Sequence, residues 1–380
     1  MFKARLPAVS GADIGVVAGT LALALLGGWV ASLLNLPLAW LLGAVLATGF
    51  WSACGWRIAG SLPRVPGAST AVVIPVLGVA IGAGFTPEIV QQMPAWWPSI
   101  LGLVLYLPLV HWLCYRIFRL SPQISVPTAF YSAVPGGLIE SVRMGEEAGG
   151  DVQMMTLLHL MRLIACVIFI PLGMGLVTGQ SLSTAGLADS AADLLPRHLA
   201  EMLVVIAVGL VAGRWLRLPA GYFFGPLLVS VIVHGAGWAT FPVPGWLLVL
   251  AQVVLGAGLG VRFAGMPRAK LGIALRMTLY SAVAIYALAA LSAWGLSRAS
   301  GISPYEIFLA YAPGGIVEMS LIAMAMNQNA IFVSCHHLLR ILFALIGIRL
   351  VRDARPSPEQ RAGSHGPENT AAGYVEKSWK

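Results

Sequence analysis

Charged residues are scarce in this chain of 380 residues. Asp, Glu, Lys and Arg together make up 10%, against roughly 25% in soluble domains. Hydrophobic residues account for 58%, and the mean hydropathy is +0.84. A soluble fold could not cover so much apolar surface with so few charges. The composition therefore predicts an all-α integral membrane protein, and it excludes a secreted enzyme, a disordered chain and a soluble DNA-binding domain.

Cysteines are also few, and they do not form a recognisable pair. Cys54, Cys114, Cys166 and Cys335 lie in separate apolar segments, without a C-x-x-C spacing. Such cysteines are typical of small buried side chains rather than of disulfides or zinc ligands. The surplus of positive charge, 23 Lys and Arg against 15 Asp and Glu, fits cytoplasmic loops of a membrane protein. Because no basic helix or DNA-reading motif accompanies this surplus, we expect no direct contact with nucleic acid.

Apolar stretches long enough to cross a bilayer run through most of the chain. The candidate stretches are 14–34, 37–56, 68–85, 98–118, 126–148, 152–177, 199–213, 220–238, 245–263, 271–296, 304–327 and 329–351. We divide the chain into a first membrane repeat (1–177), a polar linker (178–197), a second membrane repeat (198–351) and a disordered cytoplasmic tail (352–380).

The two halves contain the same motifs in the same order. L-P-x-x-W/Y-x-x-G begins at Leu36 and Leu218, V-L-G-x-x-x-G at Val76 and Val254, F-x4-P-G-G-x-x-E at Phe130 and Phe308, and H-L-x-R at His159 and His337. The last three pairs share one offset of 178 residues. Chance does not produce such an alignment, so the sequence indicates an internal duplication.

The positive residues change sides between the two halves. In the first half the positive residues lie in loops 57–64 and 116–119. In the second half they lie in loops 214–217 and 262–270. By the positive-inside rule, this predicts two repeats of inverted topology. Inversion requires an odd number of crossings in each half, so we expect the Pro-Gly-Gly stretch to be broken or re-entrant and both termini to be cytoplasmic. Arg298 is the one loop charge that disagrees with this pattern.

The two Pro-Gly-Gly breaks are the strongest candidates for a functional site. Proline removes a backbone donor and glycine adds flexibility, which membrane depth tolerates only where protein or a water-filled cavity receives the freed backbone groups. Paired breaks in inverted halves are typical of transporter binding sites. Plain kinks or packing glycines are the structural alternative. The residues in question are Pro135, Gly136 and Gly137 in the first half and Pro313, Gly314 and Gly315 in the second.

Each break is followed by a carboxylate and then by an arginine. Glu140 and Glu318 lie one turn beyond the breaks, and Arg162 and Arg340 follow 22 residues later in both halves, on one helical face with His159 and His337. We expect each Glu to meet its Arg near the centre of the molecule, as a ligand site or as a structural ion pair or cap. An arginine opposite a helix N-terminus would suit an anionic substrate.

A catalytic metal site is the other possibility that these residue types suggest. His159, His336 and His337 with Glu140 and Glu318 supply imidazoles and carboxylates. The spacings H-E-x-x-H and H-x-x-x-H are absent, and the adjacent His336 and His337 point about 100° apart on a helix. We therefore predict no metal, no other cofactor and no catalytic residue.

These motifs, taken together, resemble the AbrB family of membrane proteins of Gram-negative bacteria, which shares only its name with a small soluble DNA-binding protein. The match covers nearly the whole chain apart from the polar tail. The resemblance implies an inner-membrane protein with a link to regulation of gene expression and a distant kinship with inverted-repeat transporters. Members have also been labelled ammonia monooxygenases, a label that the metal-site spacing does not support.

We accordingly expect a polytopic, transporter-like protein of the bacterial inner membrane. A membrane-bound monooxygenase and a membrane sensor that acts through a partner protein are the alternatives. The expected partners are the lipid bilayer and an unidentified small-molecule or ion ligand, for which an anion is compatible with the arginines. A homo-oligomer is compatible with the sequence as well.

Overall fold

The computed structural model describes residues 11–85, 87–179, 196–218, 220–238 and 241–353. The protein is helical throughout these ranges, and no β-strand occurs in them. Most of the predicted linker and the tail from residue 354 onward lie outside the described residues. The α-helices are α1 (Gly11–Leu33), α2 (Ala39–Ala53), α3 (Gly67–Ala83), α4 (Pro87–Gln92), α5 (Trp97–Phe118), α6 (Val126–Ser132), α7 (Leu138–Glu147), α8 (Val152–Thr178), α9 (Pro196–Trp215), α10 (Gly221–Gly235), α11 (Gly245–Gly260), α12 (Arg268–Ser300), α13 (Pro304–Tyr311), α14 (Ile316–Ala325) and α15 (Ala330–Asp353).

Seven of the described helical segments are long and apolar enough to cross a membrane. They correspond to α1, α5 with the 3₁₀ turn before it, α8, α9, α11, α12 and α15. Large apolar side chains such as Val211 and Val283 stay exposed on the outer helices, at 70% and 73%. Helices that are apolar on their outer as well as their inner face belong in lipid. The chain is therefore an all-α membrane protein, as its composition predicts.

Glycines of the repeated motifs bring helices of the two halves into backbone contact. A side chain at Gly78 of α3 would collide with the carbonyl oxygen of Phe223 in α10, and one at Gly256 of α11 would collide with that of Leu41 in α2. Small residues allow such close approach, which gains van der Waals contact where lipid offers no hydrophobic driving force. Gly256 thus packs α11 against α2.

One end of the molecule collects loops from both halves. Arg268, at the start of α12, donates a hydrogen bond to the carbonyl oxygen of Cys54, just after α2 (3.4 Å). Nearby in the chain, Lys270 pairs with Asp151 at the start of α8 (2.6 Å). Asp151 in turn donates from its backbone N–H to Thr128 Oγ1 in α6 (2.8 Å). The end of α2, the start of α6 and the start of α12 therefore share one face of the protein.

Helix α10 runs in the opposite direction to α2, although the two share a sequence motif. α3 and α10 run in parallel, because the first turn of α10 packs at Gly78 and its last turn at Phe85. α2 and α11 run in parallel, because Gly256 packs on Leu41 and Gly260 on Thr48. Thr70, near the start of α3, lies against Gly258 near the end of α11, so α3 begins at the end of the molecule where α2 finishes. This arrangement supports the inverted topology that the loop charges predict.

Candidate functional site

Each Pro-Gly-Gly motif interrupts a helix, as the sequence predicts. In both halves a tight turn around the proline joins the two helical pieces: Gly136 donates from its N–H to the carbonyl of Val134 (3.0 Å), and Gly314 does the same to Ala312 (2.9 Å). The pieces before the breaks, α6 and α13, have seven and eight residues. At 1.5 Å per residue they span only about 10–12 Å, so both breaks lie inside the helical bundle.

The two breaks differ in backbone conformation. In the first, Gly136 and Gly137 both have positive φ, 136° and 64°, a region that residues with a Cβ rarely adopt. In the second, Gly315 has φ −76° and ψ 154°, an extended conformation open to any residue. A side chain at Gly315 would meet only the end of the flexible Glu318 side chain, which can move aside. The repeated sequence thus serves two different local structures.

A buried arginine caps the helical piece before each break. Arg162 donates through Nη2 to the carbonyl of Val134 (2.8 Å) and through Nη1 to that of Ser132 (3.4 Å). Arg340 donates in the same way to the carbonyls of Ala312 and Gly314. These carbonyls lie at or just beyond the C-termini of α6 and α13, where the helix dipole places partial negative charge. The arginines therefore stabilise the interrupted helices from the facing span.

Each arginine is held by the histidine one turn before it. Arg162 Nη2 lies 2.9 Å from His159 Nδ1, and Arg340 Nη2 lies 3.0 Å from His337 Nδ1. The Nε2 atoms contact the carbonyls of Tyr131 (3.1 Å) and Leu309 (2.9 Å). Because arginine can only donate and a carbonyl can only accept, Nδ1 must be the acceptor and Nε2–H the donor. Both imidazoles are thus neutral, with no nitrogen lone pair left for a metal.

The expected pairing of the glutamates with these arginines is wrong. Glu140 pairs instead with Arg143 in its own helix (3.2 Å), and their side chains are 40% and 62% exposed. The carboxylate of Glu318 folds back towards Gly315, at the first turn of α14. A carboxylate at a helix N-terminus compensates the positive end of the helix dipole. In each half the glutamate therefore lies at the N-terminus of the helical piece after the break, and the arginine caps the C-terminus of the piece before it. The two side chains do not meet.

Two tyrosines that no motif indicates lie near the arginines. The ring of Tyr106 in α5 packs on that of Tyr311 (centroids 4.7 Å apart), and Tyr311 directly precedes the Ala312 carbonyl that Arg340 caps. Tyr286 of α12 donates to Cys166 Sγ, one turn beyond Arg162 (3.3 Å). These residues come from four different spans and lie far apart in the chain, so no spacing rule could place them together.

Several buried donors of this cluster have no partner among the described residues. They are Nε of Arg162, Nε of Arg340, the hydroxyl of Tyr106 and the hydroxyl of Ser132. Arg162 is 6% exposed and Arg340 is 3% exposed. A buried donor without an acceptor costs roughly 1–3 kcal/mol, so four in one cluster call for an acceptor that the described residues do not supply.

A polar cavity of about 370 Å³ opens at the end of the molecule opposite Lys270. Its polar lining comes from Gln92, Glu306, Asn327, Gln328 and Asn329. Glu306 accepts a hydrogen bond from the backbone N–H of Asn329 (3.2 Å). Burial raises the pKa of Glu306 above its ordinary value, and the Asn329 N–H offsets part of that shift.

At the offset of 178 residues, this cavity corresponds to the face that Lys270 closes. Lys270 takes the position of Gln92 and Asp151 that of Asn329. Lys270 Nζ binds Asp151 Oδ2 at 2.6 Å and Gln153 Oε1 at 3.0 Å. Equivalent positions are thus bridged at one end of the protein and line a cavity at the other.

Comparison with known proteins places the chain in a family. The model of the family described as "Transition state regulatory protein AbrB" matches residues 53–353. The chain is 28% identical over 320 residues to the "Putative regulator AbrB" of Escherichia coli strain K12, which covers 82% of this chain and 88% of that protein. It is 26% identical over 348 residues to the "Uncharacterized protein YhjN" of Bacillus subtilis strain 168, covering 86% and 89%. The chain belongs to the AbrB family of membrane proteins.

Proposed function

We propose that this protein is a carrier of the bacterial inner membrane that binds a small solute between its two Pro-Gly-Gly breaks. The observation that carries the proposal is the pair of buried His-x-x-Arg clamps, His159 with Arg162 and His337 with Arg340. Each clamp holds the end of an interrupted helix from the facing span. Irregular backbone is tolerated at membrane depth where it lines a cavity or is buried in protein. Paired breaks in two inverted halves mark the binding site of many secondary transporters.

The difference between the two ends of the molecule supports alternating access. A polar cavity lies beside Glu306 on one side, whereas the Lys270–Asp151 pair bridges the equivalent positions on the other side. A carrier must open the two sides in turn, and exchange of such surface contacts is a common way to do so. The described conformation corresponds to the state open on the Glu306 side.

We assign the site to the residues that the sequence singled out, with altered roles. The arginines and histidines hold the broken helices, and the glycines set the backbone of the breaks. The proposed set is Pro135, Gly136, Gly137, Glu140, His159, Arg162, Pro313, Gly314, Gly315, Glu318, His337 and Arg340. Both termini would lie on the cytoplasmic side, where the arginine-rich loops fall.

A transport assay on reconstituted protein tests the proposal. Metabolites that raise the unfolding temperature of the purified protein would first be selected. Uptake of each selected compound would then be measured in proteoliposomes. We expect uptake with wild-type protein and with Arg143→Gln, whose side chain is exposed, but not with Arg340→Gln, provided that this variant inserts and stays folded. Compounds that bind but are never taken up would contradict a carrier.

The same assay separates the carrier from a membrane sensor. The name of the Escherichia coli relative, "Putative regulator AbrB", favours a regulatory role as the second candidate. A sensor would bind its ligand without moving it, and it would pass on the bound state through a partner protein. Binding without uptake is therefore the result that would favour this second function.

A further inference from the structure

We infer that the ligand of this site is a small anion, held between Arg162 and Arg340 with the hydroxyl of Tyr106 as a third donor. The inference rests on the proposed function only in placing the site at the paired breaks. It names the class of ligand, and it concerns binding rather than movement across the membrane.

The first support is uncompensated positive charge. Arg162 and Arg340 are both buried, and across the described ranges no carboxylate lies within ion-pair distance of either one. The carbonyls that each arginine caps carry about half a unit of negative charge at a helix end. Ile341, the residue after Arg340, lies against Gly136 of the break that Arg162 caps. The two buried guanidinium groups therefore keep a net positive charge in one region. A bound anion would remove the penalty of burying that charge.

The second support is the chemistry of the unpartnered groups. Nε of Arg162, Nε of Arg340 and the hydroxyl of Tyr106 are buried and unpartnered within the part of the chain that the structure describes. Arginine nitrogens can only donate, and the Tyr106 hydroxyl is free to donate as well. A sugar or an amide would bring its own donors, and a cation would be repelled. An anion, which only accepts hydrogen bonds, matches the chemistry of all three groups.

The packing around the arginines limits the size of the anion. Cys166 and Tyr311 are 0% and 1% exposed, and the ring of Tyr106 packs on that of Tyr311 with centroids 4.7 Å apart. Such close packing excludes a large polyanion, so we propose an inorganic anion or a short carboxylate. The Tyr311 hydroxyl, unlike that of Tyr106, already donates to the carbonyl of Ser99.

Thermal unfolding of the full-length protein in detergent tests this inference. Sodium chloride, nitrate or acetate would replace sodium gluconate at constant ionic strength and pH, so that only the identity of the anion changes. We expect at least one of these small anions to raise the unfolding temperature with a saturating concentration dependence, because it binds the folded state. Equal unfolding temperatures in all four salts would overturn the inference.

Two tyrosine variants locate the effect. Tyr106→Phe removes a hydroxyl that has no partner in the described structure, so we expect an unchanged unfolding temperature in gluconate and about a tenfold higher half-saturating anion concentration. Tyr311→Phe removes a hydroxyl with a structural partner, so it should lower the unfolding temperature without changing the half-saturating concentration. An unchanged half-saturating concentration in Tyr106→Phe would overturn the site.

Flux of the stabilising anion into proteoliposomes separates this inference from the carrier proposal. Binding that depends on Tyr106 without flux would contradict the carrier and leave the anion site standing. Uptake of an uncharged or cationic solute, with no anion effect on stability, would contradict the anion site and leave the carrier standing.

Discussion

Arg340 and His337 form one unit: the guanidinium donates to Nδ1 of the imidazole at 3.0 Å while it caps the end of α13. Arg162 and His159 repeat this contact in the first half at 2.9 Å. The His-x-x-Arg motif therefore orients a guanidinium towards a broken helix end. At the C-terminus of the broken helix the guanidinium donates to carbonyl oxygens that a further helical turn would otherwise satisfy.

Replacing this arginine by lysine should destabilise the protein although the charge is kept. In Arg340→Lys a single ammonium group cannot reach the two carbonyls and the imidazole at once, since lysine lacks the planar fork of arginine. We expect a loss of roughly 2–4 kcal/mol in the free energy of unfolding, measured by equilibrium unfolding in mixed micelles. Arg143→Lys, on the exposed surface, is the control and should change stability by less than about 0.5 kcal/mol. Equal effects of the two variants would contradict the capping role.

Alanine variants of two helical glycines should change the stability of the protein in opposite directions. In Gly256→Ala the new methyl group collides with the backbone of α2, and overpacking of this kind costs roughly 1–3 kcal/mol. In Gly295→Ala the methyl group meets open space within α12, and the better helix propensity of alanine should stabilise the protein by about 0.5–1 kcal/mol. Unfolding temperatures of the two variants against wild type check both. A stabilised Gly256→Ala would show that α2 and α11 are not in backbone contact.

The Lys270–Asp151 pair predicts a small stability term that depends on pH. Partial burial raises the pKa of Asp151, but hydrogen bonds from Lys270 and from the Met154 N–H, together with the charge of Lys270, outweigh it and hold the pKa below its ordinary value. A carboxylate with a lowered pKa in the folded state contributes its full stability above its unfolded pKa, and this is lost as the pH falls through the folded pKa.

Lys270→Gln, which installs the residue found at position 92, tests this term. Above about pH 5 we expect the variant to be less stable than wild type by about 0.2–1 kcal/mol, as is usual for an exposed ion pair. The difference should shrink as Asp151 becomes protonated, and it should also shrink in high salt. Unfolding temperatures of both proteins between pH 3 and pH 7 provide the measurement. A difference that stays constant across this range would mean that the ion pair contributes nothing.

The duplication and the breaks could be predicted from the sequence because they follow from local rules. Proline next to two glycines ends a helix wherever it occurs, and a constant offset of 178 residues needs no structure to be seen. The polar composition of Leu138–Glu147, where Arg143 stands at the position of the apolar Leu321, also signals that α7 is more exposed than α14. This difference in composition predicts different surroundings for Glu140 and Glu318.

The partners of Arg162 and Arg340 could not be predicted in the same way. The formal charges predict that each arginine pairs with a glutamate. The actual partners are backbone carbonyls at a helix end, which every residue has and which the sequence therefore does not distinguish. Tyr106 and Glu306 belong to no repeated motif, since the other half has Ala284 and Thr128 at the corresponding positions. Their roles depend on which spans pack together, and that is a property of the tertiary fold.

The proposed inverted topology predicts the side of the membrane on which four exposed residues lie. Arg57 and Arg214 lie in arginine-rich loops that follow α2 and end α9, whereas Leu34 and Trp238 lie at the other ends of the helices that these loops connect. If the two halves are inverted, Arg57 and Arg214 face the cytoplasm, and Leu34 and Trp238 face the opposite side. Without inversion, Arg57 would share its side with Trp238, because the segments after α2 and α10 correspond to each other in the repeat.

Single cysteines at these positions, in a chain whose four native cysteines are replaced by alanine, allow the sides to be measured. A maleimide that cannot cross membranes should label Arg57→Cys and Arg214→Cys in inside-out vesicles only, and Leu34→Cys and Trp238→Cys in right-side-out vesicles only. Labelling after detergent treatment shows that every site is reactive once the barrier is removed. Because each loop is compared with its own counterpart in the repeat, local differences in reactivity cannot mimic the pattern. Labelling of Arg57→Cys and Arg214→Cys from opposite sides would rule out the inversion, and with it the carrier architecture built on two opposed breaks.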